Sequence, residues 1–503
     1  MSGKAIVGGR VLTMDAERRV LDRGTVLIED DSIVAVGPAD TVAIPPGCEI
    51  IDASRSVVMP GLVNAHTHGS PILLRAGGNQ DRGLTDWLFN DLYPGLARYT
   101  LADLETALRH FVLESLRAGV TTVVLNDHVH PFDPLPAIDA AVRVLSDTGI
   151  RAVYARMFTD ARRPGSPELM DTIRAREPGV RPASVLRDTD AVLADLAEMY
   201  RRHDRAASGR IRVCASPSTA STAGLRALVG SRALAHEHDG IWALHLAETP
   251  DDRPVGEMSA VEYLASHHLL DDRLLLGHAV HLGPRDLRLI AAADTRISTQ
   301  PVSNGVLGSG VAPVPAMLQA AITVGIGTDD ANCNDGCDVL ADLKTLGVVQ
   351  RAVNRDAGAL TAEELLETAT LGGARAAGLE GTVGALVPGL QADVILLDAA
   401  APHLNPAPGL PAMLAWQATG RDVRTVLVAG RVVIRDGVAD WLDPAAETSL
   451  VDEVNERAAR ITAEAGIPAV RPWRSRVPRR ALAPGKTSSS FGYKIPSSAR
   501  PES

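Results

Sequence analysis

The sequence predicts an α/β protein: a (β/α)8 barrel of the TIM type, accompanied by a small β-sandwich built from both ends of the chain. Three observations carry this expectation. Eight short apolar runs alternate with amphipathic stretches through the middle of the chain, which is the mark of parallel βα units. The first 59 residues and a late stretch share a different texture, short alternating strands broken by Asp, Gly and Pro. Several of the central runs also end on His or Asp, and a parallel barrel gathers the C-terminal ends of its strands on one face.

Taken in order, residues 5–7, 11–14, 24–28 and 32–36 read as the opening strands. The central strands fall at 57–64, 121–125, 151–157, 211–215, 241–245, 274–278, 296–299 and 323–329. Residues 101–118, 190–202, 261–268 and 362–377 have helical periodicity and supply outer helices. The β texture returns at 384–389, 392–398 and 423–430. A helix-like stretch at 450–465 gives way to a tail rich in Pro, Arg and Ser, which reads as extended or disordered. The resulting division is 1–59 with 385–440 as the composite sandwich, 60–384 as the barrel, and 441–503 as a C-terminal helix and tail.

Composition narrows the function. At 503 residues and 46% hydrophobic content, the chain is long enough for one large core and a satellite. The net charge of -11 is dispersed, so nucleic acid and anionic membranes are not the expected partners, and a small molecule is. No run reaches membrane-spanning length and the first residues do not resemble a signal peptide. Four dispersed cysteines fit a reduced cytoplasm, and the long tail suggests a homodimer or higher homo-oligomer.

The chemistry concentrates in Pro60-Gly61-Leu62-Val63-Asn64-Ala65-His66-Thr67-His68. Alternate strand residues share a face, so His66 and His68 leave the strand together and can grip one ion. His245, His278 and Asp329 each close a later apolar run. A single histidine near a strand end is more often a hydrogen-bonded structural residue, but five such groups at strand ends point to a metal site. Cys333 and Cys337 lack the further thiols a soft site needs and read as buried or pocket-lining. His236 and His238 lie in a polar helix end, while His128 and His130 follow the second strand and open on the active face.

These motifs, with His245-Leu246-Ala247-Glu248-Thr249, Gly277-His278-Ala279, Pro301-Val302-Ser303-Asn304, Gly327-Thr328-Asp329 and Gly389-Leu390-Gln391-Ala392-Asp393, resemble the amidohydrolase superfamily. The likeness is to its cytosine/adenosine deaminase and triazine chlorohydrolase-like branch. It implies that His66, His68, His245 and Asp329 hold one divalent ion, Zn²⁺ or alternatively Fe²⁺. It also implies catalytic roles for Glu248, His278 and Asp329. Some members bridge two metals with a carboxylated lysine, but the only lysines are Lys4, Lys344, Lys486 and Lys494, none between the first strand and Asp329. One metal is therefore expected.

The nucleoside-contacting histidine of adenosine-type relatives is absent from Cys214-Ala215-Ser216-Pro217-Ser218-Thr219. In the loop after the first strand, Gln80 and Trp87 are candidate substrate contacts, joined by His128 and Asn304. The activity implied is a metal-dependent hydrolytic deaminase (aminohydrolase): hydroxide raised at the ion attacks an amino-bearing carbon of an N-heterocycle or related amidine and ammonia leaves. The alternative is a hydrolase of the same fold releasing chloride, an alkylamine, or an amide or urea amine from a triazine- or arylurea-like compound. A non-catalytic scaffold relative is the distant third reading.

Overall fold

The computed structural model describes residues 3–75, 81–128, 131, 133–160 and 186–468. Both chain ends meet in one nine-stranded sheet. Its order runs Val438–Ala439, Arg431–Arg435, Val423–Val428, Val394–Asp398, Ser56–Pro60, Lys4–Leu12, Val20–Glu29 and Ser32–Pro38, with Glu49–Asp52 alongside Lys4–Leu12. Ser56–Pro60 is the join: it lies antiparallel to Val394–Asp398 and parallel to Lys4–Leu12. Ile6, Val26, Ile28, Val58, Leu396 and Leu427 form the buried core of this sheet.

The central strands are parallel throughout. Leu62–His68 pairs with Val120–Asp127, which pairs with Arg151–Asp160, which pairs with Ile211–Pro217. A second set runs Trp242–Leu246, Leu274–His278, Arg296–Thr299 and Val324–Ile326. An isolated bridge joins Thr219 to His245, and the short Asp329–Asp330 strand lies parallel to the first, with Asp329 opposite Thr67.

Three expectations are corrected. The single strand expected at 57–64 is two, Ser56–Pro60 and Leu62–His68, which belong to different sheets. The chain changes sheet at Gly61, where a Cβ would lie 2.2 Å from Thr121 Oγ1 and only a glycine fits. His66 and His68 consequently lie within the second strand. The helix expected at 362–377 is divided into Ala362–Thr368 and Leu371–Ala376, because Thr370 leaves helical geometry at φ -126° and ψ -96°. Residues 384–389 are turns, entered and left through left-handed Gly384 and Gly389.

The outer helix Leu101–Arg117 shows how sequence fixes an element. Thr100 and Asp103 form a reciprocal cap at its start, and Leu104, Leu108, Phe111 and Leu116 bury one face. Asp103 is fully buried and also receives Arg457 (2.7 Å) and Arg460 (2.6 Å) from the helix Pro444–Glu464. The last described helix is thereby locked to the body. Tyr99 adds a hydroxyl bond of 2.8 Å to the Ser70 carbonyl, tying this helix start to the turn that follows His68. No helix among the described residues is long and apolar enough to cross a membrane.

Candidate active site

Four imidazoles and two carboxylates converge where the central strands end. His68 donates Nδ1–H to the Asn126 carbonyl (2.6 Å), and His245 donates Nδ1–H to the Ser218 carbonyl (3.0 Å). A carbonyl only accepts, so both rings carry their proton on Nδ1 and turn a bare Nε2 inward. Those two Nε2 atoms face each other at 3.2 Å. His66 Nε2 and His68 Nε2 lie 3.4 and 3.3 Å from Asp329 Oδ1.

His66 Nε2 and His278 Nε2 are buried with no hydrogen-bond partner. Orphaned ring nitrogens around one carboxylate oxygen are costly to leave, at about 1–3 kcal/mol each, unless a cation collects them. This is the donor set of a divalent metal, nitrogen with carboxylate oxygen. The amide nitrogen of Asn126 sits 3.0 Å from His66 Nδ1, and its oxygen accepts from Ser216 Oγ at 3.2 Å.

Electrostatics favour the neutral imidazole at His66 and His245. Burial, aided by neighbouring histidines, lowers His66 to about 4 and holds His245 well below its ordinary value. Burial pulls His68 the same way, but Asp329 and Asp330 outweigh it and raise this ring. Burial alone would raise Asp329, yet His278, His66 and His68 hold it well below the usual carboxylate range. The Ser303 hydroxyl donates to the other oxygen of Asp329, and the Cys333 thiol lies 3.1 Å from Ser303 Oγ.

Glu248 and His278 form the opposite wall, with Glu248 Oε2 3.6 Å from His278 Nε2. Burial pushes the Glu248 carboxyl up to about 7, while Asp329 adds to the rise. His278 donates Nδ1–H to Asn304 Oδ1 (3.0 Å), and its backbone N–H goes to Gln300 Oε1 (2.7 Å). One short segment, Gln300 to Asn304, therefore grips both His278 and, through Ser303, Asp329.

The backbone at these strand ends is strained. His278 (φ 68°), Asp329 (φ 64°) and Ala247 (φ 49°) are left-handed without being glycine, which costs about 1–3 kcal/mol each. A local network holds Asp329 there: Thr67 Oγ1 donates to its carbonyl (3.0 Å), while Asn64 and Asn334 fix Thr328 just before it. A Cβ on Gly327 would come within 2.5 Å of the His66 carbonyl, so this position also requires glycine.

Above these groups is a cavity walled by Leu84, Trp87, Leu88, Tyr93, Met157 and Leu307. His128 and Asp330 line it beside His68. Their Nε2 and Oδ2 are 3.0 Å apart, and the His128 ring stacks on His68 at 4.3 Å.

The structure thus brings together His66, His68, His245, His278, Glu248 and Asp329, with Trp87 and His128 on the cavity wall. Asn304 is placed differently from the expectation: it is 1% exposed and backs His278 instead of lining the cavity. Gln80 and His130 lie outside the described residues. His236 pairs with Asp271 and His238 stacks on Tyr200, both away from the site. Sequence reasoning missed Asn126, Ser303 and Asp330. Two of these carried a signal, since Asn126 ends an apolar run as His66 does, and Asp330 doubles the carboxylate after Asp329.

This fold and this donor set define a metal-type hydrolase of the amidohydrolase class. The chain belongs to the amidohydrolase family, whose pattern it matches over residues 57–433. It is 41% identical over 490 residues to an S-triazine hydrolase of Gordonia rubripertincta, covering 94% of this chain and 99% of that one. It is 32% identical over 466 residues to a 5-methylthioadenosine/S-adenosylhomocysteine deaminase of Desulforamulus reducens, covering 92% and 99%. Among solved structures, an adenosine deaminase from Xanthomonas campestris with bound zinc superposes with a TM-score of 0.81 at 26% identity, covering 92% and 99%. Atrazine chlorohydrolase from Arthrobacter aurescens TC1, complexed with zinc, gives 0.81 at 25% identity, covering 90% and 99%.

Proposed function

We propose that this chain is a hydrolytic deaminase that replaces an amino group on a nitrogen heterocycle by water. The observation that carries the reading is Glu248, an acid with a pKa of about 7, set 3.6 Å from His278 beside a cluster of bare imidazole nitrogens. His66, His68, His245 and Asp329 would hold a single zinc ion, and the similarity to zinc-bound structures supports that choice. When bound, such an ion makes a water molecule acidic enough to react at neutral pH.

The protein's own groups do the rest. Glu248, protonated near neutrality, gives its proton to the ring nitrogen next to the carbon under attack and later to the departing amine, since an amine leaves only after protonation. Asp329, with one oxygen held by Ser303, accepts the proton that the attacking water loses. His278, its tautomer fixed by Asn304, presents Nε2 to the reacting centre. The apolar wall excludes bulk water and receives the face of the ring.

A second reading is favoured by the greater similarity to an S-triazine hydrolase than to the nucleoside deaminases. The stretch after the fourth central strand also offers Ser216, Ser218 and Thr219 but no histidine, and the Ser218 carbonyl is committed to His245. In that reading the ring is a triazine and the leaving group is chloride, an alkylamine, or an amide or urea amine. The donor set is complete, which argues against a non-catalytic scaffold.

The architecture belongs to the same reading: a closed eight-stranded barrel over 60–384, with 1–59 and 385–440 as a small composite β-sandwich and 441–503 as a C-terminal helix and tail. The Thr219–His245 bridge and the pairing of Asp329 with Thr67 support closure at its two seams. Ammonia release by metal-quantified protein, assayed on aminated triazines, pyrimidines, purines and pterins, tests the function. Turnover that Glu248→Gln and Asp329→Asn both abolish is expected. Release of chloride or alkylamine without ammonia would replace the first reading by the second.

A further inference from the structure

Asp342 is a buried carboxyl that the proposed chemistry leaves unused. It is 3% exposed on the helix Val339–Asn354, on a face whose other buried members include Leu343, Leu346 and Gly347. A carboxyl in such a place is costly unless a polar group meets it. Its Oδ2 accepts from the Asn334 amide nitrogen at 2.8 Å, and the same nitrogen donates to the Thr328 carbonyl at 2.7 Å. Both N–H bonds of one amide are thus spent, one on the helix and one on the peptide that enters Asp329.

That peptide governs the conformation of Asp329. The Thr328 carbonyl lies in the plane that ψ of Thr328 and φ of Asp329 rotate, so a donor that holds its oxygen fixes both angles. A half-turn of the plane would carry Asp329 from φ 64° to a negative φ that any residue adopts, and would release its strain. Asn64 bonds the N–H and hydroxyl of Thr328, which lie on the other side of its ψ bond and leave the plane free to turn. The amide of Asn334 is what stops it. Asn334 is held in turn by its backbone N–H on the Asp330 carbonyl (3.0 Å), and the helix start by Asp338, which accepts the N–H groups of Ala341 (3.1 Å) and Gly420 (2.8 Å).

We propose that Asp342 and Asn334 are positioning residues: through them the helix Val339–Asn354 clamps the Thr328 carbonyl and keeps Asp329 left-handed, independently of any bound ion. This rests on the reading of Asp329 as metal ligand and proton acceptor, and adds what preorganises it. Without the clamp, the Thr67 hydroxyl still holds the Asp329 carbonyl, but the peptide before it turns and the carboxylate leaves His66 and His68.

The test sets Asp342→Leu and, independently, Asn334→Ala against Asp342→Asn, which keeps an oxygen for the Asn334 amide. Zinc affinity is measured by competition with a chelator, and metal-free crystal structures report the Thr328 carbonyl. Asp342→Leu and Asn334→Ala should each weaken zinc about 10–100-fold, and Asp342→Asn should stay within about threefold of wild type. In the two weakened variants the Thr328 carbonyl should turn and Asp329 should take a negative φ. A packing role alone would lower the denaturation midpoint while zinc affinity and the carbonyl stay as they are, and that result overturns the proposal. Asp342→Asn binding as weakly as Asp342→Leu overturns it as well. Asn334→Ala keeps the comparison decisive if Asp342→Leu does not fold. Wild type that binds zinc but releases no ammonia sinks the deaminase reading, while the zinc and carbonyl readouts still decide the clamp. Ammonia release by wild type with unchanged zinc affinity in both variants does the reverse.

Discussion

Asn304 Oδ1 accepts the Nδ1–H of His278 at 3.0 Å, and both residues are almost completely buried. That bond leaves Nε2 as the only ring atom of His278 turned toward Glu248. Replacing Asn304 by Ala frees the ring to tautomerise and rotate. The expected result is a fall in kcat of about 10–100-fold with KM and metal content little changed, the usual scale for losing the partner that orients a site histidine. Steady-state kinetics with metal analysis checks it.

Asn126 should behave differently, because it supports two proposed ligands: its carbonyl takes His68 Nδ1–H and its amide faces His66 Nδ1. Asn126→Leu removes only the amide. Metal affinity is expected to drop about 10–100-fold, measured by competition with a chelator, and activity at saturating metal should largely recover.

The raised pKa of Glu248 makes two pH predictions. As the proton donor it acts in its protonated form, so kcat/KM should be level below and fall above about 7. For stability the sign is opposite to that of a salt-bridged carboxylate. The folded pKa of about 7 exceeds the ordinary 4.5, so folding takes up a proton and stability is lost as pH rises from 4.5 through 7. Glu248→Gln removes that loss. The metal-free variant should therefore exceed the metal-free wild type by an amount that grows from pH 5 and levels above 7 at about 3 kcal/mol, read by denaturant titration.

Asp103 supports a stability prediction far from the chemistry. It caps the helix Leu101–Arg117 and binds Arg457 and Arg460, which are about a third exposed or less. Asp103→Ala removes the cap and leaves two guanidinium groups unpaired. A loss of about 2–4 kcal/mol is expected from a broken, largely buried pair together with a lost cap, measured by chemical denaturation.

The parts of this molecule legible from sequence are those whose signal is local. His66 and His68 declare themselves by spacing, and His245, His278 and Asp329 by closing apolar runs. The domain division fell at 59/60, beside Gly61, yet 57–64 read as one strand, because apolar residues run unbroken from Val57 to Val63 and the change of sheet depends on contact with Thr121, distant in sequence. The break at Thr370 was equally hidden. The apolar period continues through it, and what demands the break is close packing of Gly372 and Gly373 against Val324 and Val63. Asn304 was legible as a site residue but not as a partner of His278, since which side of a histidine it occupies is a tertiary fact. Ser303 and Asp330 acquire their roles only once Asp329 has been folded beside them.

The Thr67 hydroxyl and the Asp329 carbonyl are 262 positions apart in the chain, yet they hold neighbouring strands together at the centre of the donor set. During synthesis the first two histidines emerge well before their carboxylate, which lies 262 positions beyond Thr67. The proposed donor set is therefore complete only after Asp329 has been synthesised and folded beside the strand that carries His66 and His68.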